Sequence, residues 1–197
     1  MMRLLSLILA STALATPAFA HTGIGDTNGF AHGFLHPVSG IDHVLAMVAV
    51  GLFAALLGGR AIWLVPLAFV TMMGAGGAAG VAGINPPLTE IGIGLSVVAL
   101  GAAVAFSVRM PVAAAMAFVG FIAIFHGHAH GAEMPETASG LAYGIGLIIA
   151  TALLLACGIG IGLSLGRVAQ DRVRRVTRLA GGAMSLAGIG ILVGVIG

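Results

Sequence analysis

The chain has no lysine: its eight basic residues are all arginine. Only 7% of its 197 residues are charged, against about 25% in a soluble domain. So little charge cannot coat a water-exposed globule, which excludes a soluble enzyme. A hydrophobic share of 59% excludes a disordered chain. A formal net charge of +2 is no footprint for nucleic acid. The single cysteine, Cys157, excludes a disulfide framework and any cysteine-built zinc or iron–sulfur centre. Without lysine there is no Gly-x-x-x-x-Gly-Lys-Ser/Thr loop, so the chain carries no phosphate-binding loop of that kind. Aromatic residues are sparse, and Trp63 and Tyr143 read as interfacial anchors. What remains is an integral membrane protein, with a mean hydropathy of +1.16.

The first twenty residues read as a cleaved signal peptide. Arg3 is the positive start, Leu4 to Ala15 the apolar run, and Ala18-Phe19-Ala20 the cleavage site. Cleavage makes His21 the new N-terminus of a single domain, residues 21–197. Six uncharged stretches then approach the roughly 20 residues that cross a bilayer as a helix: Asp42–Gly59, Ala61–Gly83, Leu88–Ser107, Pro111–His130, Ser139–Gly166 and Leu179–Gly197. The expected fold is an all-α membrane protein with six transmembrane helices and both termini outside. With that topology Arg60, Arg109, Arg167, Arg172, Arg174, Arg175 and Arg178 all lie on the cytoplasmic side, as the positive-inside rule requires.

The polar remainder segregates to the other face. All seven histidines and five of the six acids fall at the outer ends of the helices or in outer loops, and only Asp171 joins the arginines. Imidazole and carboxylate gathered there make a place to hold a divalent transition-metal cation.

Three constellations supply the ligands. In His36-Pro37-Val38-Ser39-Gly40-Ile41-Asp42-His43, Pro37 suits the first turn of a helix. On one continuous helix His36 and His43 would share a face about 10.5 Å apart, too far to bind one ion. Either Gly40 breaks the helix and folds His36 back, or the two are successive stations. Asp42 is a direct ligand or orients an imidazole, the plainer alternative being a helix cap beside a hydrogen-bonded His. In Phe125-His126-Gly127-His128-Ala129-His130-Gly131-Ala132-Glu133, His126 and His130 lie one turn apart, about 6 Å along the axis, and can chelate one metal. Glu133 continues that face, while His128 points away and is the weaker candidate. At the mature N-terminus, the α-amine and imidazole of His21 form a nitrogen chelator that His32 can complete, a capture arm or simply a polar tail. Glu90, a lone acid near the outer end of the third stretch, is a ligand, an entrance charge or a headgroup-layer residue.

At these motifs the sequence resembles the HupE/UreJ family of hydrogenase- and urease-associated nickel permeases. One hallmark matches His36-Pro37, Gly40, Asp42-His43, Ala46-Met47 and Gly51; the other matches Phe125-His126-Gly127, Ala129-His130-Gly131 and Glu133. The spacing His36-x5-Asp42-His43 is also similar, with one residue more, to the His-x4-Asp-His motif of a separate nickel/cobalt permease family. The resemblance implies a multi-pass protein of the inner, cytoplasmic membrane with its His-rich face periplasmic. It implies a secondary transporter of Ni2+ or Co2+, without a prosthetic group, that serves hydrogenase or urease maturation. Imidazole and carboxylate suit those ions, whereas Mg2+ and Ca2+ prefer oxygen shells. Two rivals remain: a membrane-anchored metal-binding accessory or sensor that passes no ions, and a His-box membrane metalloenzyme. The second lacks the His-Glu-x-x-His of a zinc hydrolase and the number of histidines a di-iron site uses.

Overall fold

The computed structural model describes residues 29–136, 138–166 and 170–194, so the signal peptide, His21 and Arg167 lie outside the described residues. Among the described residues the chain is all helix: α1 (Gly29–Ser39), α2 (Ile41–Leu57), α3 (Ala61–Val81), α4 (Thr89–Ala105), α5 (Val112–Ala132), α6 (Gly140–Leu165) and α7 (Gln170–Leu192). Each of the six expected stretches overlaps one of the helices α2 to α7, but fewer than six of these helices are long and apolar enough to count as spans. Three of these, α3, α5 and α6, are long and apolar enough to cross a membrane, and the bent pair α1 and α2 passes as a fourth. Helix α4 is apolar but has 17 residues. The surface carries exposed Trp63, Leu67, Phe106, Phe121 and Leu141, an apolar coat that suits lipid and not water.

Three sequence-based expectations are corrected here. The segment Phe30-Ala31-His32-Gly33, expected to belong to a polar N-terminal arm or tail, is part of the helix α1. Pro37 sits near the end of α1 and not at the start of a span; its missing N–H weakens the last turn, and the helix stops two residues later. Helix α7 begins at Gln170, nine residues before the expected Leu179. Nothing from Gln170 to Arg178 breaks a helix, and arginine is among the better helix formers.

Helix α2 is central, with Ala46, Met47, Val50, Leu52 and Phe53 all buried. Around it lie α3, α4 and α6. The long α6 supports the bent pair, α1 against its N-terminal turns and α2 further along. Helix α5 runs alongside α3, and α7 alongside α4.

Small residues set these distances, because in lipid the helices gain stability from close packing and not from hiding apolar area. The α3–α5 contact is close along much of its length: a Cβ on Gly76 would overlap the Ile124 carbonyl, and one on Gly127 or Gly131 would overlap the carbonyls of Met73 or Gly77. Gly51 and Gly158 make the same backbone approach between α2 and α6.

This packing predicts a contrast. Gly131→Ala should destabilise the detergent-solubilised protein by about 1–3 kcal/mol, the usual cost of overpacking. Gly74→Ala, where a Cβ meets nothing within 4 Å, should leave the melting temperature unchanged or slightly raised. Equal melting temperatures for the two variants would show that the α3–α5 contact is looser than described.

Candidate metal centre

The centre forms where the α1–α2 junction meets the end of α5. Gly40 is extended, with φ −91° and ψ 120°, and the helices on either side are bent by 79°. The bend folds His36 back, bringing its ring centroid within 6.3 Å of His43. Of the two alternatives open in the sequence, the structure takes the broken helix. Gly40 is also closely enclosed: a Cβ there would stand 2.7 Å from Asp42 Oδ1 and 3.0 Å from His43 Nδ1, so that pair of side chains would have to shift.

Helix α5 brings His126 and His130, one turn apart, against this corner. The His130 ring lies 4.4 Å from His43 and 4.8 Å from His36. The His126 ring lies 4.9 Å from His43. His43 therefore neighbours all three of the others, and four imidazoles from three helices form one cluster, packed edge to face or tilted. Glu133 at the end of α5 accepts from His36, with Nε2 and Oε2 3.1 Å apart. On α1, ahead of the apolar run of α2, burial lowers the pKa of His36, and the Glu133 carboxylate opposes that shift.

The hydrogen bonds decide which nitrogens are free. An ionised carboxylate can only accept, so the 2.8 Å contact between His43 Nδ1 and Asp42 Oδ1 is a bond donated by the ring. In the neutral imidazole the lone pair is then on Nε2, which is buried without a hydrogen-bond partner. His130 is fully buried and neither ring nitrogen has a partner. His126 is also fully buried; its Nε2 lies 2.7 Å from Ser96 Oγ, and its Nδ1 has no partner.

A cavity of about 540 Å3 opens onto this cluster, lined by His36, Ser39, Asp42, His43, Glu90 and Glu133 among others. On the far side the core is dry. The Phe69 ring lies 6.2 Å from His126, and Phe53, Met47 and Met73 are buried with it. As the side chains stand, no group of three or more His, Cys, Asp or Glu among the described residues is arranged to hold a metal ion. The rings are packed against one another rather than spread around a point.

The structure thus brings together His36, Asp42, His43, His126, His130 and Glu133, and puts Glu90 on the wall of the same cavity. His32 is exposed on α1, one turn before His36. His128 is buried on the side of α5 that carries Gly127 and Gly131, and both its ring nitrogens lack a partner. Its backbone packs against Gly76 and Gly80 of α3. Tyr143 corrects an expectation: it is buried and not an interfacial anchor, donating its hydroxyl to the His130 carbonyl at 3.0 Å, with its ring 6.2 Å from His36. Trp63, by contrast, is 77% exposed. Ser96 is the site residue that motif reading missed. Its signal was present, as a lone hydroxyl in the apolar run from Ile91 to Ala105.

Comparison with known proteins shows the family. Residues 9–191 match the family model described as HupE / UreJ protein. The chain is 47% identical over 184 residues to Protein HupE of Rhizobium leguminosarum bv. viciae, covering 92% of this chain and 94% of that protein. No solved structure matches it. With almost its whole length matched, and both histidine motifs meeting at one centre, the chain belongs to the HupE/UreJ family.

Proposed function

We propose that this protein is a permease that carries Ni2+, and Co2+ by the same ligands, across the cytoplasmic membrane into the cell for the maturation of a hydrogenase or urease. In this reading the helices α2 to α7 are the six spans, and the 17-residue α2 and α4 reach about 25 Å each. The histidine face is periplasmic and the arginines are cytoplasmic. The observation that carries the reading is the cluster of four imidazoles from α1, α2 and α5, three of them buried, of which His36 and His43 line a cavity that also carries Asp42, Glu90 and Glu133. Ionisable residues within an apolar bundle are costly and mark ion pathways.

The steps follow from the residues. Glu90, Glu133 and Asp42 make the cavity attractive to a hydrated cation. His36, His43, His126 and His130 then replace its water with nitrogen, after small ring rotations that separate the cluster. Asp42 orients His43 while Glu133 orients His36. His32, exposed on α1 one turn before His36, serves with His21 as the first point of capture. His128 faces away from the cluster and has no part in this first exchange. The dry layer of Phe53, Phe69, Met47 and Met73 blocks the inward path in this conformation. Release therefore requires the helices to shift, and the tight glycine contacts allow neighbouring helices to slide. With no phosphate-binding loop, the driving force is the ion's gradient or coupling to protons released from the ligands.

Radioactive nickel uptake in cells lacking other nickel importers tests the path. Asp42→Ala and His130→Ala should each lower uptake by tenfold or more, on the order of what loss of a metal-orienting group costs. Unchanged uptake in both would refute the route described. Purified protein in sealed vesicles distinguishes a permease from a membrane-anchored metal-binding accessory protein: a permease accumulates nickel in the lumen, and an accessory protein binds it without passage. In the same assay excess Co2+ should compete with Ni2+ and excess Mg2+ should not. Strong competition by Mg2+ would point to an oxygen-lined path instead.

A further inference from the structure

We infer that Ser96 on α4 is a positioning residue that fixes the tautomer and direction of His126, so that Nδ1 of that ring, and not Nε2, meets the transported ion. The inference deepens the proposed permease reading and rests on it.

Ser96 is 2% exposed, so its hydroxyl must be satisfied within the protein. Its Oγ lies 2.6 Å from the Ile93 carbonyl oxygen and 2.7 Å from His126 Nε2. A carbonyl has no proton to give, so the first contact is a hydrogen bond only when the hydroxyl donates it. A serine hydroxyl has one proton. Towards His126 it must therefore act as an acceptor, and the ring must supply Nε2–H. In a neutral imidazole the lone pair is then on Nδ1. That atom is buried without a partner.

The same logic holds on the neighbouring ring. Asp42 accepts from His43 Nδ1 and leaves Nε2 bare. The two rings stand perpendicular, with centroids 4.9 Å apart. Each thus has one nitrogen tied to an oxygen and the other bare, with the tying oxygens on different helices, Asp42 on α2 and Ser96 on α4. A ligand histidine whose second nitrogen is held in this way keeps its tautomer and direction. The two holders differ in charge. Asp42 borders the open cavity, whereas Ser96 is buried, where a neutral hydroxyl costs far less than a carboxylate. Among the described residues the bond to Ser96 is the hydrogen bond that tells the two His126 ring nitrogens apart, and its loss removes that distinction.

The test uses the full-length protein in detergent micelles with 15N-labelled histidine. In the metal-free parent, the His126 signals, assigned by their loss in His126→Asn, should show the proton on Nε2. Ser96→Ala should raise the nickel concentration at half-maximal uptake by about 10–100-fold, the range for groups that orient a metal ligand, with its melting temperature near the parent's. Ser96→Thr should restore uptake to within about threefold of the parent. Thr Oγ1 can make the same bond to the preceding turn, and a cavity of about 360 Å3 beside Ser96 has room for the added methyl. A proton on Nδ1 in the parent, a Ser96→Ala uptake curve matching the parent's, or a loss that Ser96→Thr does not rescue would each overturn the inference. If the parent transports no nickel, the permease reading fails and the tautomer spectra alone decide the role of Ser96.

Discussion

A buried imidazole nitrogen without a hydrogen-bond partner is a standing cost, about 1–3 kcal/mol for each unsatisfied polar group. Four histidines here, His43, His126, His128 and His130, hold six such nitrogens among the described residues. The rest of the structure is organised around three of these rings. Asp42 and Ser96 each tie one nitrogen and leave the other bare. Tyr143 donates to the His130 carbonyl and leaves both ring nitrogens of that residue untouched. A core selected for stability alone would have partnered these atoms or replaced them with carbon. In the proposed function their partner is the cation in transit. The bare nitrogens are then the working surface of the protein.

Bringing three helices to one point in a bilayer depends on the glycines. Helix α5 can present His126 and His130 to α2 only because its other side lies directly against the α3 backbone, through Gly127 and Gly131 on one helix and Gly76 and Gly80 on the other. The α1–α2 corner depends on Gly40 in a different way: a Cβ there would collide with the Asp42–His43 pair that the corner builds. Loss of either feature would separate the rings without altering a single ligand. The small residues and the histidines therefore act as one device.

The degree to which the sequence foretold this differs by feature, for physical reasons. Uncharged runs of near-bilayer length marked the helices, because an apolar environment leaves few other ways to satisfy a backbone. The four-residue spacing of His126 and His130 gave their shared face directly from helix geometry. The fold-back of His36 was visible only as one of two alternatives, since Gly40 permits a break and tertiary contact with α6 and α5 decides it. Helix α1 was hidden because a Gly- and His-containing segment reads as loop, and its helix is stabilised by packing on α6. The roles of Ser96 and Tyr143 come from α4 and α6. Their partners are 30 and 13 residues away, and no local pattern encodes such pairings. The arginine-rich start of α7 misled in the opposite direction: charge was read as the end of a helix, although arginine continues one readily.

Among the described residues the imidazoles lie ring against ring and not around a common point. A closed set of four ligands around a transition metal is the arrangement of a structural centre, where the ion stays. A conducting path must bind strongly enough to strip water and weakly enough to release. In the proposed function, rings packed edge to face or tilted would meet both demands. They offer nitrogen only after they part, so the work of separating the cluster offsets some of the binding energy. The same work is recovered when the ion leaves and the rings close. Asp42, Glu133 and Ser96 hold three of the four rings by one edge, limiting this motion to rotation about a fixed bond and keeping the bare nitrogens directed inward. His130 lies between His36 and His43 with neither ring nitrogen hydrogen-bonded, so of the four rings it is the one that no oxygen holds.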